Sequence, residues 1–166
     1  MIEIYFPEVK KPLLLDVDDF PLYQQKRWKV VKGDEKTRRM NRVVEQNGIE
    51  FITLTRFLLK PNFNRVVDHI NGNSMDNRRC NLRICTISQN TANQRKQRGC
   101  SSKYRGVSFA KGCKKRPWQS YIQKDGKTVS IGYFKSEVEA AEAYNKKALE
   151  LFGEFARLNN IERGVV

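Results

Sequence analysis

Alternating apolar and polar positions divide the chain into short stretches, mostly too brief for long helices. Residues 28–31, 42–45 and 49–54 read as short strands, and Asn47-Gly48 between the last two is a tight hairpin signal. Residues 55–59 can form one helical turn. Val66 and Val67 lead as a strand into Asp68-His69, after which Asn71-Gly72-Asn73 demands a turn, because these residues tolerate positive φ. Thr86 and Gln89 fit a capping box and start a helix carrying Asn90, Asn93 and Gln94. The pattern then repeats more sharply. Residues 104–109, 118–124 and 128–134 are strand-like, and Asp125-Gly126 joins the last two. Ser136 and Glu139 cap a helix whose buried face is expected to hold Val138, Ala141, Tyr144, Ala148 and Phe152, with Gly153 at its end.

The small polar run from Gln97 to Ser102 separates the two patterned regions. The expected organisation is a domain over 1–98 with a β-rich lead-in, a linker over 99–102, a second domain over 103–160 and a tail over 161–166. The fold class is α+β, and the second domain is a three-stranded antiparallel sheet packed on one helix.

Composition adds a partner. The chain has 166 residues, 32 Lys and Arg against 18 Asp and Glu, and a formal net charge of +14. Nine Phe, six Tyr and two Trp are more than a disordered polyelectrolyte carries, so the chain is expected to fold. The charge is uneven. Residues 1–20 hold five acids and two bases, 76–98 hold six bases and one acid, and 103–127 hold eight bases and one acid. A basic middle and third quarter favour nucleic acid as partner, because no basic amphipathic helix suited to a lipid surface is evident. No apolar run approaches the ~20 residues a bilayer span needs. The start, Met1-Ile2-Glu3-Ile4-Tyr5-Phe6-Pro7, lacks the pattern of a signal peptide, and an intracellular chain is expected. The spacing of Cys80, Cys85, Cys100 and Cys113 contains no C-x2-C pair and favours free thiols over a structural zinc site.

The lone histidine, His69, carries the chemistry. Asp68 and the Asn90 carbonyl are hard oxygen donors suited to Mg2+ or Mn2+, and a neutral imidazole can take a proton from water near neutral pH. A strand–loop–helix can aim a strand-borne Asp and His at a helix-borne Asn. Such a set, in basic surroundings, is equipment for phosphodiester hydrolysis. Asn71, Asn73, Asp76 and Asn77 are read as turn formers, Asn93 as a surface or phosphate-contacting residue, and Trp118, Tyr144 and Phe152 as packing residues.

The string from Val67 to Asn73, with Asp76-Asn77-Arg78-Arg79, Asn81-Leu82-Arg83 and Asn90, resembles the ββα-metal, or HNH, motif of phage homing endonucleases. Leu15 to Phe20, Trp28 and Thr53-Leu54-Thr55-Arg56-Phe57 resemble their N-terminal region, with the departure that many members carry histidine where Thr55 stands. The resemblance implies His69 as general base, Asp68 and Asn90 holding one Mg2+ (or Mn2+), and Asn81 bracing the loop. It implies a metal-dependent endonuclease that nicks or cleaves double-stranded DNA. Ser101 to Val107, Trp118, Ile131 to Phe134 and Glu139 to Tyr144 resemble the plant ethylene-response-factor, or APETALA-type, DNA-binding domain, whose sheet enters the major groove. That resemblance implies base contacts from Arg105, Tyr121, Gln123, Thr128 and Ser130, although several arginines and tryptophans of the plant members are absent here. Lys103, Lys114, Lys115 and Arg116 are expected on phosphates, and Arg78, Arg79, Arg83 and Arg95 complete the DNA-binding set. Expected besides are no small-molecule cofactor, no membrane partner, a monomer or weak dimer, and the cytoplasm of a bacterial host cell if the chain is phage-encoded. The alternative function is a DNA-binding regulator with an inactive nuclease motif. An RNA-binding protein fits the charge but not the strand module, because A-form RNA hides its major groove.

Overall fold

The structure is a computed structural model that describes residues 1–33, 42–47, 50–94 and 100–161. The expected turn residue Gly48 and the expected DNA contact Arg95 lie outside the described residues. The chain forms two compact units, Met1–Thr86 and Ile87–Val166.

In the first unit β1 (Ile2–Ile4) pairs antiparallel with β2 (Leu13–Leu15). A 3-10 turn over Val17–Asp19 runs into the short helix α1 (Phe20–Gln24), with Pro21 in its first turn, where a missing N–H costs nothing. β3 (Lys29–Val31), β4 (Arg42–Asn47) and β5 (Glu50–Thr53) form an antiparallel sheet in that order. The strand expected over 49–54 ends one residue early. Thr53 turns its hydroxyl to the Arg56 N–H and caps α2 (Leu54–Leu59), so Leu54 becomes helical and buried. β6 (Val66–His69) then pairs antiparallel with β7 (Leu82–Cys85). Leu13, Leu15, Val43, Leu54, Leu58 and Met75 make the core, with Trp28, Phe20 and Tyr23 against it. The pairs β1–β2 and the helix α1 were not expected from sequence. Three-residue strands and a five-residue helix are too short to show a period.

The second unit begins with α3 (Ile87–Asn93) and continues with β8 (Val107–Phe109), β9 (Trp118–Lys124) and β10 (Lys127–Phe134). They form one antiparallel sheet in the order β10-β9-β8, on which α4 (Glu137–Phe152) packs. Asp125 and Gly126 both have positive φ (50° and 76°), as the tight turn requires. The Ser136 hydroxyl accepts from the Glu139 N–H at 3.1 Å, and Gly153 ends α4 at φ 52°. Two expectations are corrected. β8 starts at Val107 rather than 104, because Gly106 adopts φ 68° and breaks the extended run. The buried face of α4 is Ala140, Ala141, Tyr144, Ala148 and Phe152, while Val138 stays 39% exposed. The two adjacent alanines let the helix lie close to the sheet, which leaves no room for a branched side chain there.

Candidate functional site

β6 and β7 set the register of the candidate site. Asp68 stands opposite Arg83 and His69 opposite Leu82. Asp68 is 5% exposed, and its Oδ2 accepts from Arg83 Nε at 3.0 Å, with Arg83 Nη2 at 2.9 Å. Burying a carboxylate is costly unless it is paired, and Arg83 is its partner across the hairpin.

His69 ends the strand with its ring partly buried. Its Nε2 lies 3.1 Å from Asn77 Oδ1. The Asn77 amide nitrogen donates to the Ser74 carbonyl at 3.4 Å, which sets the oxygen toward the histidine. An amide oxygen only accepts, so Nε2 carries the proton and the basic lone pair sits on Nδ1. Burial pushes the imidazole below its ordinary value, against the opposing pull of Asn77 and of the Asp68 and Asp76 carboxylates. The ring is therefore neutral at neutral pH, as a proton acceptor must be.

The loop between the strands is held by Asx side chains. Gly72 sits at φ 71°, and its N–H reaches the His69 carbonyl at 2.8 Å. Asn71 Oδ1 accepts from the Asn73 N–H at 2.7 Å, and Asn73 Oδ1 from the Met75 N–H at 3.2 Å. Asp76 receives Asn71 Nδ2 at 2.9 Å and the Arg78 fork at 2.7 Å on each oxygen, which holds its carboxyl below the usual range. Buried Asn81 spans the loop. Its Oδ1 accepts from the Asn71 N–H at 2.9 Å and its Nδ2 donates to the Asp76 carbonyl at 2.8 Å. The N-terminal segment fastens the far side. Leu14 exchanges backbone bonds with Met75 and Asn77 at 2.8 and 2.9 Å, Asp16 accepts from the Arg79 N–H at 2.7 Å, and Asp19 grips the Arg79 guanidinium at 2.7–3.0 Å.

Asp68, His69 and Asn81 thus come together in the first unit. Asn90 lies half-buried on α3 in the second. Sequence reasoning took Asn77 for a turn former only. It is 1% exposed and bonded to the imidazole. Nothing in an Asp-Asn-Arg-Arg run distinguishes it from its neighbours, because its role comes from packing. Asp16 and Asp19 were likewise passed over. Arg78, Arg79 and Arg83, expected on DNA, are each paired with a carboxylate: Asp76, Asp19 and Asp68.

Carboxylate and carboxamide oxygens are the donors a hard cation takes, and in the first unit the Asp68 carboxylate is such a donor. Among the described residues, no group of three or more His, Cys, Asp and Glu could hold a metal ion, and none of the four cysteines forms a disulfide.

In the second unit the register groups four expected contact residues on one sheet face. Tyr121 pairs with Ser130, and Gln123 with Thr128. Lys103, Lys114, Lys115 and Arg116 are exposed. Arg105 is different. Its guanidinium donates to the carbonyls of Thr91 at 2.7 Å, Ala92 at 2.8 Å and Gln94, closing the C-terminal end of α3, whose last carbonyls lack helical partners. Asn93 is buried, a correction to its surface reading, because the Ala92–Asn93 end of α3 is covered in this unit, where Arg157 Nη1 reaches the Asn93 carbonyl at 3.5 Å. Trp118 packs edge-on to Phe109 at 5.2 Å, and Tyr144 and Phe152 are buried, as packing residues are. No helix among the described residues is long and apolar enough to cross a membrane.

No family model and no solved structure matches the chain. The likeness to the ethylene-response-factor domain therefore finds no counterpart. Over 96 residues the chain is 38% identical to an uncharacterized HNH endonuclease of Acanthamoeba polyphaga mimivirus. That stretch is 58% of this chain and 48% of the mimivirus protein, so the chain spans about half the length of the curated relative it matches. The relative supports the HNH part of the resemblance.

Proposed function

We propose that the chain is a metal-dependent HNH-type endonuclease that hydrolyses phosphodiester bonds in double-stranded DNA. The observation that carries this reading is the partly buried His69 imidazole, held by Asn77 at the end of the strand that carries Asp68 and next to a loop braced by Asn81. His69 Nδ1 takes a proton from water as the water oxygen bonds to phosphorus. The bond from phosphorus to the 3′ oxygen breaks, the departing oxygen gains a proton from solvent, and the imidazolium later releases its own. Asp68 would be a ligand of one Mg2+ (or Mn2+). When bound, that ion supplies positive charge to the phosphate and to the departing oxygen. Asn81 keeps the loop that ends in Asp76 fixed relative to Asn71. The exposed sheet face of Tyr121, Gln123, Thr128 and Ser130, with Lys103, Lys114, Lys115 and Arg116, would bind the duplex.

A second reading, a DNA-binding regulator with an inactive site, draws on the Asp68–Arg83 pair, which competes with a cation for the carboxylate. Plasmid nicking separates the two. With Mg2+ the chain converts supercoiled plasmid to open circle, EDTA stops it, and His69→Ala lowers the rate at least about 100-fold while retaining plasmid binding. A His69→Ala variant that nicks normally removes His69 as base. Binding without nicking in any divalent metal selects the regulator.

A further inference from the structure

Phe63 is 97% exposed; the next most exposed aromatic among the described residues, Tyr5, is at 71%. A single apolar side chain in water is ordinary and says nothing by itself. The setting of this one is not. Phe63 and Asn64 form the corner of a turn closed by the Arg65 N–H on the Asn62 carbonyl at 2.9 Å. Lys60, in the left-handed region at φ 45°, ends α2 and gives its N–H to the Arg56 carbonyl at 2.9 Å. Pro61 fixes φ at the next position. Arg56 Nη1 then bonds the Arg65 carbonyl at 3.1 Å, so both ends of the turn are tied to one residue. The ring is held out on a stiff support instead of folding back onto the unit. Presenting it this way lowers the entropy lost when it is covered.

The surroundings identify what covers it. Lys60 and Arg65 are exposed before and after it in the chain, Arg56 bonds the Arg65 carbonyl, and no acidic residue occurs between Arg56 and Asp68. An exposed aromatic in a loop that also carries exposed Lys60 and Arg65, with Asn62 and Asn64 as its chain neighbours, complements a nucleobase between phosphates. One ring is too little for a lipid surface, which needs a broad apolar face, or for a protein interface, whose core is a contiguous patch. The turn leads directly into β6, the strand of Asp68 and His69.

We propose that Phe63 is a wedge that stacks into a base step of duplex DNA, beside the strand that carries Asp68 and His69. This rests on the nuclease reading of the site, and the test separates the two. In EDTA, full-length chain is titrated with a short random-sequence DNA duplex and, separately, with heparin, which offers anionic charge without bases. Phe63→Ala should bind the duplex about fivefold or more weakly, with an unchanged dependence on salt because no phosphate contact is lost. Phe63→Trp should show emission quenched by the duplex but not by heparin, beyond the signal of Trp28 and Trp118 in the parent chain. Both substitutions are at a solvent-exposed tip and leave folding intact. Unchanged affinity in Phe63→Ala, or emission in Phe63→Trp that ignores the duplex or answers heparin equally, overturns the wedge and leaves the nuclease reading standing. A parent chain that binds no duplex overturns both.

Discussion

Asn77 decides which nitrogen of His69 carries the proton. With Nε2 bonded to the amide oxygen the ring is held in one orientation, and the proposed mechanism then uses Nδ1 as base. Asn77→Ala should lower the nicking rate about tenfold or more, as losing the partner of an oriented histidine does, with little change in the DNA concentration needed for half-saturation. Asn77→Asp, which keeps an acceptor oxygen, should recover part of the rate. A loss in half-saturation alone, with the maximal rate intact, would show that Asn77 serves binding instead. Asp76 gives a pH signature in stability. The Arg78 fork is the main reason its carboxyl lies below the ordinary 3.8. A depressed carboxylate stabilises the fold above its unfolded value, and that contribution fades as pH falls through the lower folded value. Thermal melts between pH 6 and pH 2 should therefore fall less steeply for Asp76→Asn than for the parent chain below about pH 4. Identical slopes would mean the fork contributes nothing.

Elements were legible where a local rule governs them and obscure where packing does. The β9–β10 hairpin follows from Asp125-Gly126, and the start of α4 from the Ser136 hydroxyl on the Glu139 N–H. Both rules act within four residues. The early part of the expected strand over 104–109 failed for a reason that only the fold supplies. A Cβ on Gly106 would lie 2.2 Å from the Tyr144 ring and 2.5 Å from the Tyr121 carbonyl oxygen, and φ is 68°. Gly106→Ala should destabilise the second unit by about 1–3 kcal/mol, read as a lower denaturation midpoint in urea. An unchanged midpoint would mean that α4 can shift away from the sheet without cost. The helix face was misread at one residue, because a period of 3.6 marks a stripe but not its edges. The closeness of the sheet then selected Ala140 over Val138.

At the scale of the molecule, charge is the plainest message of the chain and the one the fold redistributes most. A net charge of +14 points to a polyanion before any contact is known. Yet Arg78, Arg79 and Arg83 are engaged by acids, two of them from segments far off in sequence or across a hairpin, and Arg105 closes a helix. Sequence could count those cations but not assign them, because partners such as Asp19 for Arg79 are set by long-range packing. The acidic lead-in, which contrasts with the basic middle and resembles the N-terminal region of the HNH endonucleases, supplies the anchors of the site loop. By itself the sequence determined the short-range turns and caps, the candidate residues they space, and the net positive charge of the chain, because each depends on side-chain type and near neighbours. Tertiary structure decided which asparagine holds the histidine, which arginines are engaged by carboxylates or helix ends, and which aromatic ring is left standing in water. Those follow from chain segments meeting in space, which no local pattern encodes.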